Sequence, residues 1–89
     1  MRLRNTRYTE YEMNKLHQAL AEILEVDEVY SGQQLRAFEG WDSLSALSLL
    51  VSVRDIFGVV ITTADLGQVK TVGDLELLVS SRPPIERPI

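Results

Sequence analysis

Asp42 and Ser43, in the stretch Gly40-Trp41-Asp42-Ser43-Leu44, are the residues of this chain best placed to do chemistry. A Leu- and Val-rich helical pattern begins directly after them and runs to Phe57, so Asp42 or Ser43 stands where a helix N-cap residue would stand. A serine hydroxyl at that point lies at the mouth of a helix, where unpaired backbone N–H groups and the macrodipole favour an attached anion. A phosphate esterified to Ser43 would be well held there. The plain alternative is that either residue only caps the helix. A hydrolytic serine fails on local grounds. There is no Gly-x-Ser-x-Gly elbow or evident oxyanion loop, and the lone histidine, His17, falls at the edge of an apolar helical face. No histidines or clustered carboxylates are spaced to hold a metal, and the lack of cysteine removes thiol nucleophiles and Cys-based zinc sites.

The chain that must position these residues is 89 long, enough for one domain near the lower end of what folds on a single core. With 45% hydrophobic and 25% charged residues the composition is that of a globular domain, not a disordered one. A net charge of −4 argues against a nucleic-acid surface, which would show a basic stripe. Without cysteine there is no disulfide framework, and a cytoplasmic location is the simpler inference. The basic stretch Met1 to Arg7 lacks the apolar segment of a signal peptide, and no apolar run is long enough to enter a bilayer.

Residues 1–8 read as a loose lead-in. Thr9-Glu10-Tyr11-Glu12 has the form of a capping box, and Met13, Leu16, Leu20, Ile23 and Leu24 recur on one face, which predicts a helix over about 9–25. Residues 26–42 show no period, and Val29, Leu35, Phe38 and Trp41 are expected to pin this long connection to the core, Trp41 as a hydrophobic clamp. A second helix is predicted from Ser43 to Phe57, stopped by Gly58. At about 100° per residue its Ala46, Leu49, Leu50, Val53, Ile56 and Phe57 share a core face. Ser45, Ser48, Ser52 and Asp55 then form a polar stripe, and Leu44, Leu47 and Val51 an apolar strip with no burial inside a small bundle. Val59-Val60-Ile61 reads as an extended connector with Val59 and Ile61 inward. Thr62 to Asp65 caps a short third helix over about 63–68, and Thr71 to Asp74 caps a fourth over about 72–80, with Val72, Leu75, Leu78 and Val79 inward. Arg82-Pro83-Pro84 ends it, leaving residues 81–89 as a Pro-containing tail.

The fold class is therefore all-α, a small four-helix bundle of three main helices plus a short third, with a long first loop. This order, together with Asp42-Ser43-Leu44, Phe57, Ile61 and Thr71-Val72-Gly73-Asp74-Leu75, resembles the acyl carrier protein family over about residues 9–80. The resemblance implies a non-catalytic carrier. Ser43 would be joined through a phosphodiester to 4′-phosphopantetheine, whose thiol holds an acyl group as a thioester, and Asp42 would present Ser43 to the modifying enzyme. It also implies a phosphopantetheinyl transferase as partner, with an acyl-loading or adenylating enzyme, an acyltransferase or a ketosynthase, and a monomeric carrier. The chain departs from the housekeeping fatty-acid carriers, whose second helix is acidic, because serines line the stripe here and Asp55 is balanced by Arg54. A carrier dedicated to a specialised polyketide, lipid or related pathway is expected. Glu39-Gly40-Trp41 also replaces the Leu-Gly-Gly lead of many peptidyl carriers, which weighs against an amino-acid cargo. The competing reading is a helical interaction domain that docks a partner on Leu44, Leu47 and Val51 with Ser43 unmodified.

Overall fold

The computed structural model describes residues 9–82. The lead-in over 1–8 and the Pro-containing segment over 83–89 lie outside the described residues. Four helices run in chain order: α1 over Glu10–Leu24, α2 over Ser43–Phe57, α3 over Thr63–Gly67 and α4 over Val72–Ser81. A single 3-10 turn, Leu35–Ala37, interrupts the first connection, and no strand forms among the described residues. Helix α4 thus runs one residue past its expected end, and α3 stops one residue short.

Each of the four helices starts on a reciprocal capping box: Thr9 with Glu12, Asp42 with Ser45, Thr62 with Asp65, and Thr71 with Asp74. In each, the N-cap side chain accepts a hydrogen bond from the third helical amide, while that residue's side chain accepts one from the N-cap amide. The Asp65 carboxyl is held below the ordinary aspartate range by the Thr62 amide first and then by the Arg82 guanidinium. Asp74 is held low by the amides of Lys70 and Thr71. Because both folded-state values are depressed, the stabilisation they give is complete above the ordinary aspartate range and is lost as pH falls below it. The C-termini close differently. Gly58 ends α2 at φ +69, a left-handed conformation that glycine adopts without strain. Glu25 ends α1 at φ +60, with its amide bonded to Glu22 O and that of Val26 bonded to Ala21 O in a Schellman arrangement.

One core joins the helices. It contains Leu16, Leu20 and Leu24 of α1, Leu49, Val53 and Phe57 of α2, Leu66 of α3, and Val72, Leu75 and Val79 of α4. Val59 and Ile61 turn inward from the connector as period two requires. Ala46, Leu50, Ile56 and Leu78 sit half-buried at the margin of the core rather than at its centre.

The long first connection is strapped along the chain between α3 and α4. Leu35 N donates to Lys70 O at 2.9 Å, Val72 N to Gln33 O at 2.9 Å and Gly73 N to Ser31 O at 2.7 Å. Val29 and Leu35 are buried, and Phe38 and Trp41 pack against the core from its edge, so all four expected pins engage. Glu76 of α4 adds a polar tie, accepting from Ser31 Oγ at 2.7 Å and contacting His17 Nε2 of α1. A structureless loop of this length would be costly in a domain this small. The strap supplies the partners its backbone needs.

One buried group has no such partner. The Ser80 hydroxyl on α4 is out of contact with solvent and makes no hydrogen bond. Ser80→Ala removes that desolvated group and gains helix propensity, so it should stabilise the domain by about 1 kcal/mol. That corresponds to a melting temperature higher by about 4–8 °C.

Candidate carrier site at the head of the second helix

The approach to α2 is fixed by close packing. An added Cβ at Gly40 would stand 2.8 Å from the Leu24 carbonyl oxygen, so only glycine lets the chain pass this near the end of α1. The Trp41 amide then turns back to Phe38 O at 3.1 Å.

The structure resolves which residue caps α2. Asp42 is the N-cap, in extended conformation, and its Oδ1 accepts from Ser45 N at 2.8 Å. Ser45 Oγ accepts from Asp42 N at 2.7 Å and donates to Asp42 O at 2.9 Å. Ser45 is only 6% exposed, which corrects its expected place on the polar stripe with Ser48, Ser52 and Asp55. The physical reason is that this hydroxyl is satisfied by the cap itself, so the residue can turn inward without leaving a polar atom unpaired. Asp42 and Ser45 thus form a closed pair, and Ser43 is excluded from it.

Ser43 is the first residue of the helix rather than its cap. It is exposed, and its hydroxyl makes no hydrogen bond among the described residues. The Ser43 and Leu44 amides, at the first two helical positions, have no intrahelical acceptor and face the positive end of the macrodipole. A phosphodiester on Ser43 Oγ would need no buried volume and would meet these donors. The residues present therefore fit such a group.

From this end of α2 the expected apolar strip leads away. Leu44 is 60% exposed, Leu47 56% and Val51 59%, while Leu49 and Val53, on the opposite side, are fully buried. The remaining charges on α2 are Arg54 and Asp55, both exposed. Sequence reasoning missed Arg36. It donates from Nη1 to Val69 O at 2.7 Å and from Nη2 to Leu66 O at 3.0 Å, and its guanidinium lies 6.0 Å from the centre of the Trp41 ring. It falls in a stretch without period, where no pattern marks it. His17 is half-buried, as expected of a residue at the edge of the α1 face.

Among the described residues there is no cluster of His, Cys, Asp or Glu able to hold a metal, and no helix is long and apolar enough to cross a membrane.

Known proteins resemble this chain. The family model described as "Phosphopantetheine attachment site" matches residues 14–79. The solution NMR structure of a holo acyl carrier protein from Geobacter metallireducens matches with a TM-score of 0.64 at 26% identity, covering 76% of this chain and 80% of that one. No curated protein matches the chain. The family match starts within α1 and reaches into α4, so it takes in every element that builds the head of α2. The chain belongs to the phosphopantetheine-attachment-site family, as a carrier protein of acyl-carrier fold whose cofactor is covalently attached 4′-phosphopantetheine.

Proposed function

We propose that Ser43 is the residue that bears the 4′-phosphopantetheine, with Asp42 presenting it, and that the arm's thiol holds acyl intermediates as thioesters. One observation carries this reading. The Ser43 hydroxyl is exposed and unbonded while Asp42 and Ser45 between them do the capping. A serine kept for the cap would have its oxygen on an amide, as Ser45 does. The protein itself performs no chemistry, and the arm brings its cargo to each enzyme at high effective concentration. Its partners are a phosphopantetheinyl transferase and, in the cytoplasm, an acyl-loading or adenylating enzyme, an acyltransferase or a ketosynthase. The low charge of α2 supports a specialised polyketide, lipid or related pathway over housekeeping fatty-acid synthesis. Incubation with a broad-specificity transferase and coenzyme A should raise the intact mass by one phosphopantetheinyl group. An unchanged mass with several such enzymes would favour a helical interaction domain instead.

Enzymes of the pathway would dock on Leu44, Leu47 and Val51. Exposed apolar strips beside a reactive group serve as docking surfaces in which a few central side chains dominate the binding energy. Leu47 is exposed, so Leu47→Glu should leave stability within about 0.5 kcal/mol of the parent. It should nevertheless slow acyl transfer with the cognate enzyme. Added salt should weaken the encounter only modestly, since screening acts on charges and not on apolar contact. A collapse of binding between low and moderate salt would sink the apolar mode of docking.

A further inference from the structure

The reciprocal pair of Asp42 and Ser45 fixes Ser43 with respect to α2, but it does not fix the head of α2 with respect to the rest of the domain. Trp41 does that. It packs against the core from one side, and the Arg36 guanidinium lies over its ring. Arg36 is itself anchored by two carbonyls, Leu66 O and Val69 O, at and just beyond the end of α3. The backbone around it is also held, with Leu35 N on Lys70 O and Gly40 against the Leu24 carbonyl. Residues 35 to 40 are therefore a short span with both ends fixed, and the Arg36 side chain reaches across it to Trp41, the residue that follows.

Resting on the assignment of the arm to Ser43, we propose that Arg36 is a positioning residue: through the Trp41 ring it fixes the direction in which α2 presents Ser43 to the modifying enzyme. The chemistry calls for arginine. Its planar fork reaches two carbonyls at once and still offers a flat face to an indole, whereas lysine is a compact point charge with no flat face to lay on the ring. The need for such a brace follows from the reaction. The transferase docks on the surface of the domain but must bring one hydroxyl into line, and a displacement of about 1 Å from a distant change can cost about a hundredfold in rate.

The test uses the full chain, its parent and the variants Arg36→Met and Arg36→Lys, with a phosphopantetheinyl transferase and coenzyme A. Trp41 is the only tryptophan, so fluorescence emission and acrylamide quenching report on its ring without ambiguity. Arg36→Met should shift the emission of the unmodified protein to the red and open the ring to quencher. It should also lower kcat for modification about tenfold, with KM for the carrier within about twofold, because the docking surface is untouched. Arg36→Lys should fall between parent and Arg36→Met in both readouts. In a Trp41→Ala background, Arg36→Met should change kcat by less than about twofold, since the residue through which it acts is gone. If Arg36→Met does not fold at the assay temperature, Arg36→Lys in the Trp41→Ala background supplies the same cycle. A folded Arg36→Met protein with parental kcat and emission overturns the proposal. So do equal losses of kcat in both Trp41 backgrounds, or a change confined to KM, which would place Arg36 in contact with the enzyme. If the parent itself gains no mass, the Ser43 assignment fails first. The emission shift then still decides whether Arg36 braces Trp41.

Discussion

Ser43→Ala should give a protein that melts as its parent does and gains no mass from transferase and coenzyme A. Ser45→Ala should do the reverse, gaining the mass in full and melting early. The two serines are two residues apart on one helical turn, and a hydropathy scale would rank them alike. Their hydroxyls differ in what they hold. Ser43 Oγ has no partner among the described residues, so its loss removes no interaction from the fold. Ser45 Oγ bonds both Asp42 N and Asp42 O and is buried, so its loss opens half the cap and strands the Asp42 amide. Loss of a cap of this kind costs about 0.5–2 kcal/mol. In a domain of this size that is a melting temperature lower by several degrees, about 4–8 °C for each kcal/mol. Mass gained by the Ser43→Ala protein would move the arm elsewhere. An early melt of that protein would return Ser43 to the role of a cap.

Much of this arrangement is legible in the order of residues. The capping patterns at Thr9, Thr62 and Thr71, the glycine stop at Gly58 and the 3.6-residue period of α1, α2 and α4 all lead to the elements observed. Leu49, Val53 and Phe57 turn inward, and Leu44, Leu47 and Val51 outward, as the helical phase requires. The misreading of Ser45 has a physical origin. Plotted on a wheel, a serine on the helix edge counts as polar, but at the third helical position its oxygen can bond backward to the N-cap residue and cease to need water. The capping signal usually sought has Ser or Thr before Glu or Gln, and here Asp42 precedes Ser45, so the acid stands first. The strap and the Arg36 brace were not legible for a different reason. Both end on backbone groups far off in sequence, of a kind that every residue carries, so no local pattern announces them.

The second large effect is on stability. Leu49 lies at 0% exposure in the middle of α2, in the cluster that includes Leu16, Leu20, Val53 and Leu75. Leu49→Ala should cost about 2–5 kcal/mol, through the lost transfer of its methyl groups from water and through the cavity left behind. Total stabilities of single domains are about 5–15 kcal/mol, and this one is near the small end, so the variant should have lost much of its margin. Urea denaturation is the measurement. The midpoint should fall with the slope unchanged, because the surface exposed on unfolding is nearly the same. A loss below about 1 kcal/mol would put Leu49 at the surface and shift the phase of the whole helix. Set against Leu47→Glu two residues earlier, the pair separates the face that holds the domain together from the face proposed for docking.

The strap between the first connection and the α3–α4 segment joins the thirties of the chain to its seventies. Closing so long a stretch costs chain entropy before any contact is gained, so these bonds should form late in folding. Helices α1 and α2 pack on each other through contacts that do not involve the strap. The head of α2 should therefore gain its fixed bearing late, after α1 and α2 have packed. If Ser43 carries the arm, an enzyme that requires that bearing does more than attach a cofactor. It inspects the chain, and loads it only once the chain has closed.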